Sequence, residues 1–435
     1  MLLSEQGKER FQKSLMNQKA EKPSLSGQRL KTRKRDEKEK YDPNTFRDEL
    51  ILGLNKTDSD LEQVSKFLDA AGGKLDYRRY AEVLFDVLFA GGILAPGGSI
   101  VQDPDQTKVC RTDVCLFTCG ENREKLKAFH EVFFKLIRRY KYLERNFEEE
   151  IKKILLFLIG FKEDETRKLA IIIGMFLSTG LCSPKVLVNL FGDHLVKEGI
   201  SLDFATLMFR SWLEEREIAT VCTALKKSQL DNRLLELFPL NKRSQEAFLT
   251  HFQKAGLESI ADFQRTQQME EWKKEIQKRL KEMMKDDEPV SEMVTYIIER
   301  MQKYSLQDEE AAILVWKSIM AIVEWNKKEE LVADQALKHL KVYMPLLQAA
   351  TKSAKSELEL IIKIQEYCYE RMNFMKVFQK IILLMYKMDV LSEYTIMKWY
   401  KGAHSSKGKS VFLEQMKKFV EWLENAEEES DDDEK

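Results

Sequence analysis

The stretch FMKVFQKIILLMYKM, residues 374–388, indicates how this chain folds. Its apolar residues recur at steps of three and four, at Phe374, Phe378, Ile381, Met385 and Met388. That period places side chains on one face of an α-helix. Ile382 and Leu384 widen the apolar face, so we predict a helix that is buried on most sides.

The same helical period continues through most of the chain from Thr45 onward. It is clear in AAILVWKSIMAIVEW (residues 311–325) and in SQEAFLTHFQKA (residues 244–255). Glycines and prolines interrupt it often enough to give helices of about 10–20 residues. Strand patterns are nearly absent, except in residues 91–120, which predict a long loop or a small hairpin. We therefore predict an all-α protein of stacked antiparallel helix pairs, as in HEAT-type repeats.

Composition limits the class of protein. The 435 residues are 43% hydrophobic and 33% charged, enough apolar surface for a core but too much charge for a membrane protein. The longest apolar runs, such as LAIIIGMFL at residues 169–177, are half the length of a bilayer-spanning helix. Six cysteines do not make a disulfide scaffold, and no apolar stretch follows the N-terminus as a signal peptide would. We expect a cytoplasmic protein that does not bind membranes.

Charge is concentrated at the two ends of the chain. Residues 1–40 carry 12 Lys and Arg against 6 Asp and Glu, whereas residues 421–435 carry 9 Asp and Glu against one Lys. Terminal charge blocks of this kind usually belong to disordered interaction tails. We therefore expect a disordered basic head and a disordered acidic tail.

Four leucines at seven-residue spacing follow the basic run RLKTRKRDEKEK (residues 29–40), namely Leu54, Leu61, Leu68 and Leu75. A basic zipper needs one unbroken helix. Asp42-Pro43 interrupts it, because the residue before a proline leaves the helical region. The capping pattern of Ser59 and Glu62 begins a new helix near Asp60, and Gly72-Gly73 ends that helix. We therefore reject the zipper and predict that Leu61 and Leu68 form an ordinary amphipathic stripe with Val64 and Phe67.

The basic run itself fits three interpretations. It is a solvated head, a localisation signal, or a segment that contacts RNA phosphates without sequence preference. The residues for an RNA contact would be Arg29, Lys31, Arg33, Lys34 and Arg35. Asp36, Glu37 and Glu39 dilute the positive charge in each case.

Two patterns resemble chemical sites and fit them badly. Cys110, Cys115 and Cys119 stand at x4 and x3 spacing before His130, whereas zinc sites usually carry close pairs such as C-x2-C. KGKS at residues 407–410 ends like a phosphate-binding loop, but Ala403 stands where the first glycine belongs. The histidines lie in no recognisable nucleophile pattern. We expect no metal, no cofactor and no enzyme activity.

The C-terminus, VFLEQMKKFVEWLENAEEESDDDEK, combines an amphipathic helix with acidic and aromatic residues. Its core-facing stripe comprises Phe412, Met416, Phe419, Val420 and Leu423. The candidate partner-binding residues are Trp422 and the acids around it, namely Glu421, Glu424, Glu427, Glu428, Glu429, Asp431 and Asp432. A second cluster contains Glu324, Trp325, Glu329 and Glu330. Acids around an exposed tryptophan would receive a lysine-rich partner through charge and a cation–π anchor. In the alternative interpretation both tryptophans belong to the core and the acids only solubilise the chain.

Ser430 precedes three aspartates and so resembles an acidophilic kinase site. A phosphate at this position would add negative charge to the same segment.

FVEWLENAEEESDDDE resembles the second acidic–aromatic box that closes W2 domains, as in translation initiation factor 5. IVEWNKKEELVADQALKHLK resembles the region of the first such box. From Met16 to the end, through LDYRRYAEVLFD, LIRRYKYLE and LLELFP, the chain resembles the basic leucine zipper and W2 domain-containing family, the initiation factor 5 mimics. The zipper in that family name is the heptad rejected above.

The resemblance implies two helical-repeat domains. Residues 41–250 would form a HEAT domain related to the middle domain of initiation factor 4G, and residues 255–428 the W2 domain. Residues 1–40 and 429–435 would be the basic head and the acidic tail. The domain with which factor 5 activates GTP hydrolysis has no counterpart in this chain.

The resemblance also implies partners. A mimic would compete with factor 5 for the lysine boxes of the initiation factor 2 beta subunit and for initiation factor 3 within the pre-initiation complex. It would repress initiation and tighten start-codon choice. An RNA- or ribosome-binding adaptor that uses the basic head is the alternative function.

Overall fold

The computed structural model describes residues 41–102 and 109–432, with the side chains of residues 329–330 and 426–432 outside that description. The regular elements of the described residues are helices, as predicted, apart from one isolated β-bridge. Its first ten α-helices are α1 Pro43–Asn55, α2 Leu61–Ala71, α3 Ala81–Ala90, α4 Arg123–Arg139, α5 Glu144–Leu156, α6 Glu163–Thr179, α7 Asp193–Lys197, α8 Ile200–Glu215, α9 Ile218–Lys227 and α10 Gln245–Lys254.

Eight further helices complete the described chain. They are α11 Glu258–Lys285, α12 Val290–Tyr304, α13 Asp308–Ala321, α14 Glu329–Ala350, α15 Ala354–Glu370, α16 Phe378–Lys387, α17 Glu393–Lys398 and α18 Lys409–Asp432. Short 3-10 turns lie between some of them, at Lys141–Leu143, Leu158–Gly160, Pro184–Phe191, Leu234–Leu237, Leu240–Lys242 and Met372–Phe374. A π-helical turn covers Trp399–Ala403. Within the described ranges, no helix is both long and apolar enough to cross a bilayer.

Helices pack mainly against their second neighbours along the chain. α2 contacts α4, α3 contacts α5, and α6 packs closely on α8. The same alternation continues from α11 to α18. Because each helix packs on the second helix after it, alternate helices form one layer and the helices between them form a second layer. Two such layers are the arrangement of HEAT-like repeats. The all-α helical-repeat prediction is confirmed.

Two hydrophobic cores divide the chain. The first contains buried residues from Phe46 to Phe263, and the second contains those from Ile276 to Leu423. α11 contributes its first turns to one core and its last turns to the other. Its charged middle, from Arg265 to Glu275, contains no buried residue. The domain limits predicted from sequence remain predictions, and the change from one core to the other falls within this helix.

The heptad leucines do not share a helix. Leu54 lies in α1, Leu61 and Leu68 lie in α2, and Leu75 follows its end at Gly72. The N-cap of α2 is Asp60, whose carboxylate accepts a hydrogen bond from the Glu62 amide. Ser59 instead adopts a positive φ of 62°. The predicted helix start is therefore correct, but the capping residue is the next one along.

Residues 374–388 form a shorter helix than their period predicts. Phe374 closes a 3-10 turn and α16 begins only at Phe378. Ile382 is buried, but Leu384 and Met388 are half-buried. The apolar periodicity is the same in both backbone forms, since a 3-10 turn also brings every third residue to one side.

In the described parts of residues 91–120, residues 91–102 and 109–120, the chain is a loop with an antiparallel bridge between Leu94 and Ile100. Gly91 ends α3 with a φ of 87°. A Cβ there would stand 2.4 Å from the carbonyl oxygen of Thr112. Glycine is therefore required at this return of the loop onto α3.

A hydrogen bond connects the same loop to a buried cluster of charged side chains, Asp86, Glu150 and Lys153. Asp86 of α3 accepts a hydrogen bond from the Leu94 amide at 3.0 Å and an ion pair from Lys153 of α5 at 2.6 Å. Glu150 contacts the same ammonium group at 3.1 Å. Both carboxylates are almost fully buried. Burial and the neighbouring Asp86 carboxylate raise the pKa of Glu150 well above its usual range.

We expect this raised pKa to make the first core less stable as pH increases. Between the unfolded pKa of a glutamate and its higher folded pKa, the folded state holds more protons, so stability falls with rising pH. A Glu150→Gln variant removes that titration. The free energy of unfolding of the variant, relative to that of the natural chain, should therefore increase as the pH rises from about 5 to about 8. Urea denaturation across this range measures the difference. A constant difference would contradict the assignment.

Candidate functional site

α18 carries the first predicted acidic–aromatic cluster and is fixed to the second core by one face. Phe412, Met416, Phe419, Val420 and Leu423 are all buried. These are the positions that the sequence assigned to the core-facing stripe, and that prediction is confirmed. α18 begins at Lys409, after a turn in which Gly408 has a φ of 65°.

Trp422 lies at the edge of that stripe and is 55% exposed. Its ring stacks on Phe419, with centroids 6.0 Å apart and planes 12° apart. Tyr386 of α16 meets it edge-on at 6.5 Å and meets Phe419 at 5.6 Å. Trp422 is therefore a surface residue held by an aromatic base, and its remaining face is open to solvent.

Two acidic residues lie next to Trp422 along the sequence of α18. Glu421 and Glu424 are both exposed. The remaining predicted acids, Glu427, Glu428, Glu429, Asp431 and Asp432, and the predicted phosphosite Ser430, have side chains outside the described residues. Lys417 and Lys418 are exposed one turn earlier on α18. Glu421 therefore begins the predominantly acidic C-terminal part of α18, and Glu414 is a separate exposed acid two turns before it.

Trp325, in the second predicted cluster, is half-buried. Its indole N–H donates to the Met320 carbonyl at 3.1 Å, and its ring meets His339 and Phe374 edge-on at 5.6 and 5.2 Å. It therefore anchors the loop between α13 and α14 to the second core. Glu324 is exposed, and the side chains of Glu329 and Glu330 lie outside the described residues.

A short loop links the two clusters. The Asn373 side chain donates to the Asn326 carbonyl at 2.9 Å, next to Trp325. Gln415 of α18 donates to the Met375 carbonyl at 2.9 Å. Met372, directly before Asn373, is 82% exposed. Sequence reasoning did not select Met372, since an isolated methionine carries no pattern that separates a surface residue from a core one.

Gln365 of α15 supports the start of α18. It is fully buried, and its amide nitrogen donates to the carbonyls of Ser405 and Lys407 at 2.9 and 2.8 Å. Its amide oxygen accepts from the Trp399 indole and the Ser405 amide at 3.0 and 3.1 Å. Sequence reasoning also missed this residue, because all its partners are distant along the chain.

The other sequence patterns show no assembled site. His130 pairs with Thr179 at 3.0 Å, and Cys115 contacts Thr118. No group of three His, Cys, Asp or Glu side chains in the described ranges is close enough to hold a metal. Lys407 and Gly408 form the turn before α18, as predicted. The RNA-contact residues Arg29, Lys31, Arg33, Lys34 and Arg35 lie outside the described residues.

These features define an α-helical repeat protein whose last helix presents an acidic–aromatic surface. Two family models match the chain: the 5MP1/2 HEAT domain at residues 30–274, and the W2 domain of eIF4-gamma/eIF5/eIF2-epsilon at residues 356–433. The chain belongs to the eIF5-mimic protein family, which confirms the resemblance found in the sequence.

Relatives in this family match nearly their whole length. eIF5-mimic protein 2 of Gallus gallus is 56% identical over 416 residues, which are 96% of this chain and 98% of the relative. The Homo sapiens protein of the same name is 56% identical over 415 residues, and eIF5-mimic protein 1 of Danio rerio is 56% identical over 413 residues. Each of these two alignments covers 95% of this chain and 98% of the relative. The chain is thus related to regulators of translation initiation.

Proposed function

We propose that this protein is a cytoplasmic, non-catalytic mimic of translation initiation factor 5. It binds the lysine boxes of the initiation factor 2 beta subunit through the acidic–aromatic surface of α18, and it also binds initiation factor 3. By occupying these partners in the pre-initiation complex, it represses initiation and tightens start-codon selection.

The exposed ring of Trp422 is the observation that carries this proposal. A tryptophan held by Phe419 and Tyr386 loses little conformational freedom when a partner binds, and its open face accepts a lysine ammonium group by a cation–π contact. The carboxylates of Glu421 and Glu424 and the acids that follow along the chain supply attraction to a lysine-rich segment.

The second cluster has a different role in this proposal. Trp325 is committed to the second core, where it holds the loop before α14 in place. Glu324, Glu329 and Glu330 contribute charge. A phosphate on Ser430 would increase the negative charge of the α18 surface and strengthen binding.

Replacing Trp422 by alanine is expected to weaken binding of a lysine-box peptide from the beta subunit about 30-fold, the loss typical of a hot-spot residue at ~2 kcal/mol. Adding Glu427→Ala and Glu428→Ala should weaken it further and reduce its dependence on salt. Calorimetric titration of the full chain at about 50 and about 200 mM salt measures both effects.

Glu414→Gln is the matched control, because Glu414 is exposed on α18 two turns before Glu421. It removes one charge from the same helix and should leave affinity nearly unchanged. Competition completes the test: the natural chain should displace initiation factor 5 from the peptide and lower initiation at non-AUG codons in a translation lysate. Wild-type affinity in the triple variant would reject this surface as the binding site.

A further inference from the structure

The first domain carries a second surface of aromatic and basic side chains, at the opposite end of the chain from α18. It is built from Tyr41, the segment 76–80 (DYRRY) before α3, and the segment 138–142 (RRYKY) at the end of α4. We call it the Arg–Tyr surface. The proposed function makes no use of it.

Tyrosine rings and guanidinium groups stack on one another across this surface. Arg78 lies over the Tyr142 ring at 4.7 Å. Arg79 lies over the rings of Tyr41 and Tyr80 at 5.8 and 5.5 Å. Because Arg78 and Arg79 are consecutive, they join the two groups of tyrosines into one continuous surface.

The rings pack on half-buried tyrosines and remain partly open to solvent. Tyr41 stacks on Tyr80 at 5.0 Å with planes 15° apart, and it is 54% exposed. Tyr142 is 38% exposed and lies 5.9 Å from Tyr140. The Tyr140 hydroxyl in turn donates to the Asp69 carbonyl at 2.7 Å. These side chains are therefore ordered before any partner arrives.

Positive charge dominates the same segments. Residues 76–80 contain two basic residues against one acidic residue, and residues 138–142 contain three basic residues and no acidic one. The acids within the surface are Asp42 and Asp76, which accept hydrogen bonds from the Thr45 and Arg79 amides at 3.1 Å each. Two acids near it are paired: Asp69 with Arg139 at 2.8 Å and Glu82 with Lys153 at 3.0 Å. The basic head, residues 1–40, directly precedes Tyr41 along the chain.

We propose that the Arg–Tyr surface binds single-stranded RNA. Unpaired bases stack on exposed aromatic rings and on guanidinium planes, and their phosphates are attracted to the surrounding Arg and Lys side chains. An acidic peptide would need the charges but not the open tyrosine faces, and duplex RNA hides its bases. The repeated alternation of rings and guanidinium groups therefore favours a single strand.

The test measures fluorescence anisotropy of a labelled 20-nucleotide oligouridine with the full chain. An Arg78→Gln, Arg138→Gln, Lys141→Gln variant should bind about 10-fold more weakly and reduce the slope of log affinity against log salt by about 2, since each lost phosphate contact contributes roughly 0.7. A Tyr41→Ala, Tyr142→Ala variant should also bind about 10-fold more weakly but keep the wild-type slope, because stacking releases no counterions.

The matched control is Lys185→Gln, Lys197→Gln, Lys227→Gln, which removes three exposed charges from the same domain. It should keep nearly the wild-type affinity. The Trp422→Ala variant should bind RNA with wild-type affinity, because Trp422 is not part of the Arg–Tyr surface. The RNA measurement and the lysine-box measurement can therefore fail independently of each other.

Three results would overturn the inference. The first is an equal loss of RNA affinity in the lysine control variant and in the Arg78, Arg138, Lys141 variant. The second is loss of all binding on deletion of residues 1–40 with no effect of either surface variant. The third is an unchanged affinity in the tyrosine variant together with equal competition by a polyglutamate peptide, which would assign the surface to an acidic protein segment.

Discussion

Replacing Lys153 by methionine is expected to lower the free energy of unfolding of the first core by about 3–5 kcal/mol at neutral pH. The ammonium group lies 2.6 Å from Asp86 and 3.1 Å from Glu150, two carboxylates that are only 1% and 2% exposed. Methionine keeps most of the volume but leaves these two acids together without a cation. Removing one partner of a buried ion cluster is costly because the remaining charge cannot reach water.

Hydrogen exchange of the full chain, read by mass spectrometry, measures this loss in α3 and α5 separately from the second core. Lys152→Met is the matched control, because Lys152 pairs with the largely exposed Glu149. Exposed pairs contribute about 0–1 kcal/mol, so the control should change little. Equal effects of the two variants would show that the buried cluster does not stabilise the fold.

The loss should also depend on pH in a defined direction. Without Lys153, both acids have a stronger tendency to hold protons, and a protonated carboxyl group has no charge to bury. The difference between Lys153→Met and the natural chain should therefore be smaller at pH 5 than at pH 8. A difference that grows on acidification would contradict this account.

Replacing Gln365 by leucine is expected to destabilise the second core by about 3–5 kcal/mol, since a buried polar group left without its partner costs roughly 1–3 kcal/mol. The variant removes four hydrogen bonds and leaves the Trp399 indole, the Ser405 amide and the carbonyls of Ser405 and Lys407 unpaired. Partial relaxation of the 399–408 segment keeps the total below the sum of the four losses.

The effect should be concentrated where the hydrogen bonds are made. Exchange is expected to rise in α15, in residues 399–408 and at the start of α18, and to stay unchanged in α3 and α5. Gln302→Leu provides the control, because Gln302 is exposed on α12. Protection of α18 that survives in the Gln365 variant would show that α18 is held by its apolar stripe alone.

The contacts of Lys153 and Gln365 cannot be predicted from any local sequence pattern. Lys153 lies in a charged stretch that looks like a solvated helix face, and its partner Asp86 is 67 residues away along the chain. Gln365 sits in an amphipathic helix, and its partners lie 34 to 42 residues further on. A sequence lists such residues but does not say which of them meet.

The helical class and the limits of α2 follow from local chemistry. Apolar periodicity and helix-capping residues act over only a few positions, so they can be recognised in the sequence. In α2 the capping residues are Asp60 at the start and Gly72 at the end. The apolar stripe of α18 follows from the same period, from Phe412 to Leu423. The acidic segment that follows it is a matter of composition, and its resemblance to a W2 ending needs no coordinates.

Tertiary packing alone decided which tryptophan is available to a partner. Trp422 and Trp325 stand in similar acidic surroundings in the sequence, yet Trp422 rests on Phe419 and Tyr386 with an open face and Trp325 is enclosed by His339 and Phe374. The Arg–Tyr surface arises in the same way, because Arg78 meets Tyr142 across 64 positions of chain. Exposure and stacking depend on residues that folding brings together from distant parts of the chain, whereas helix formation depends on neighbours.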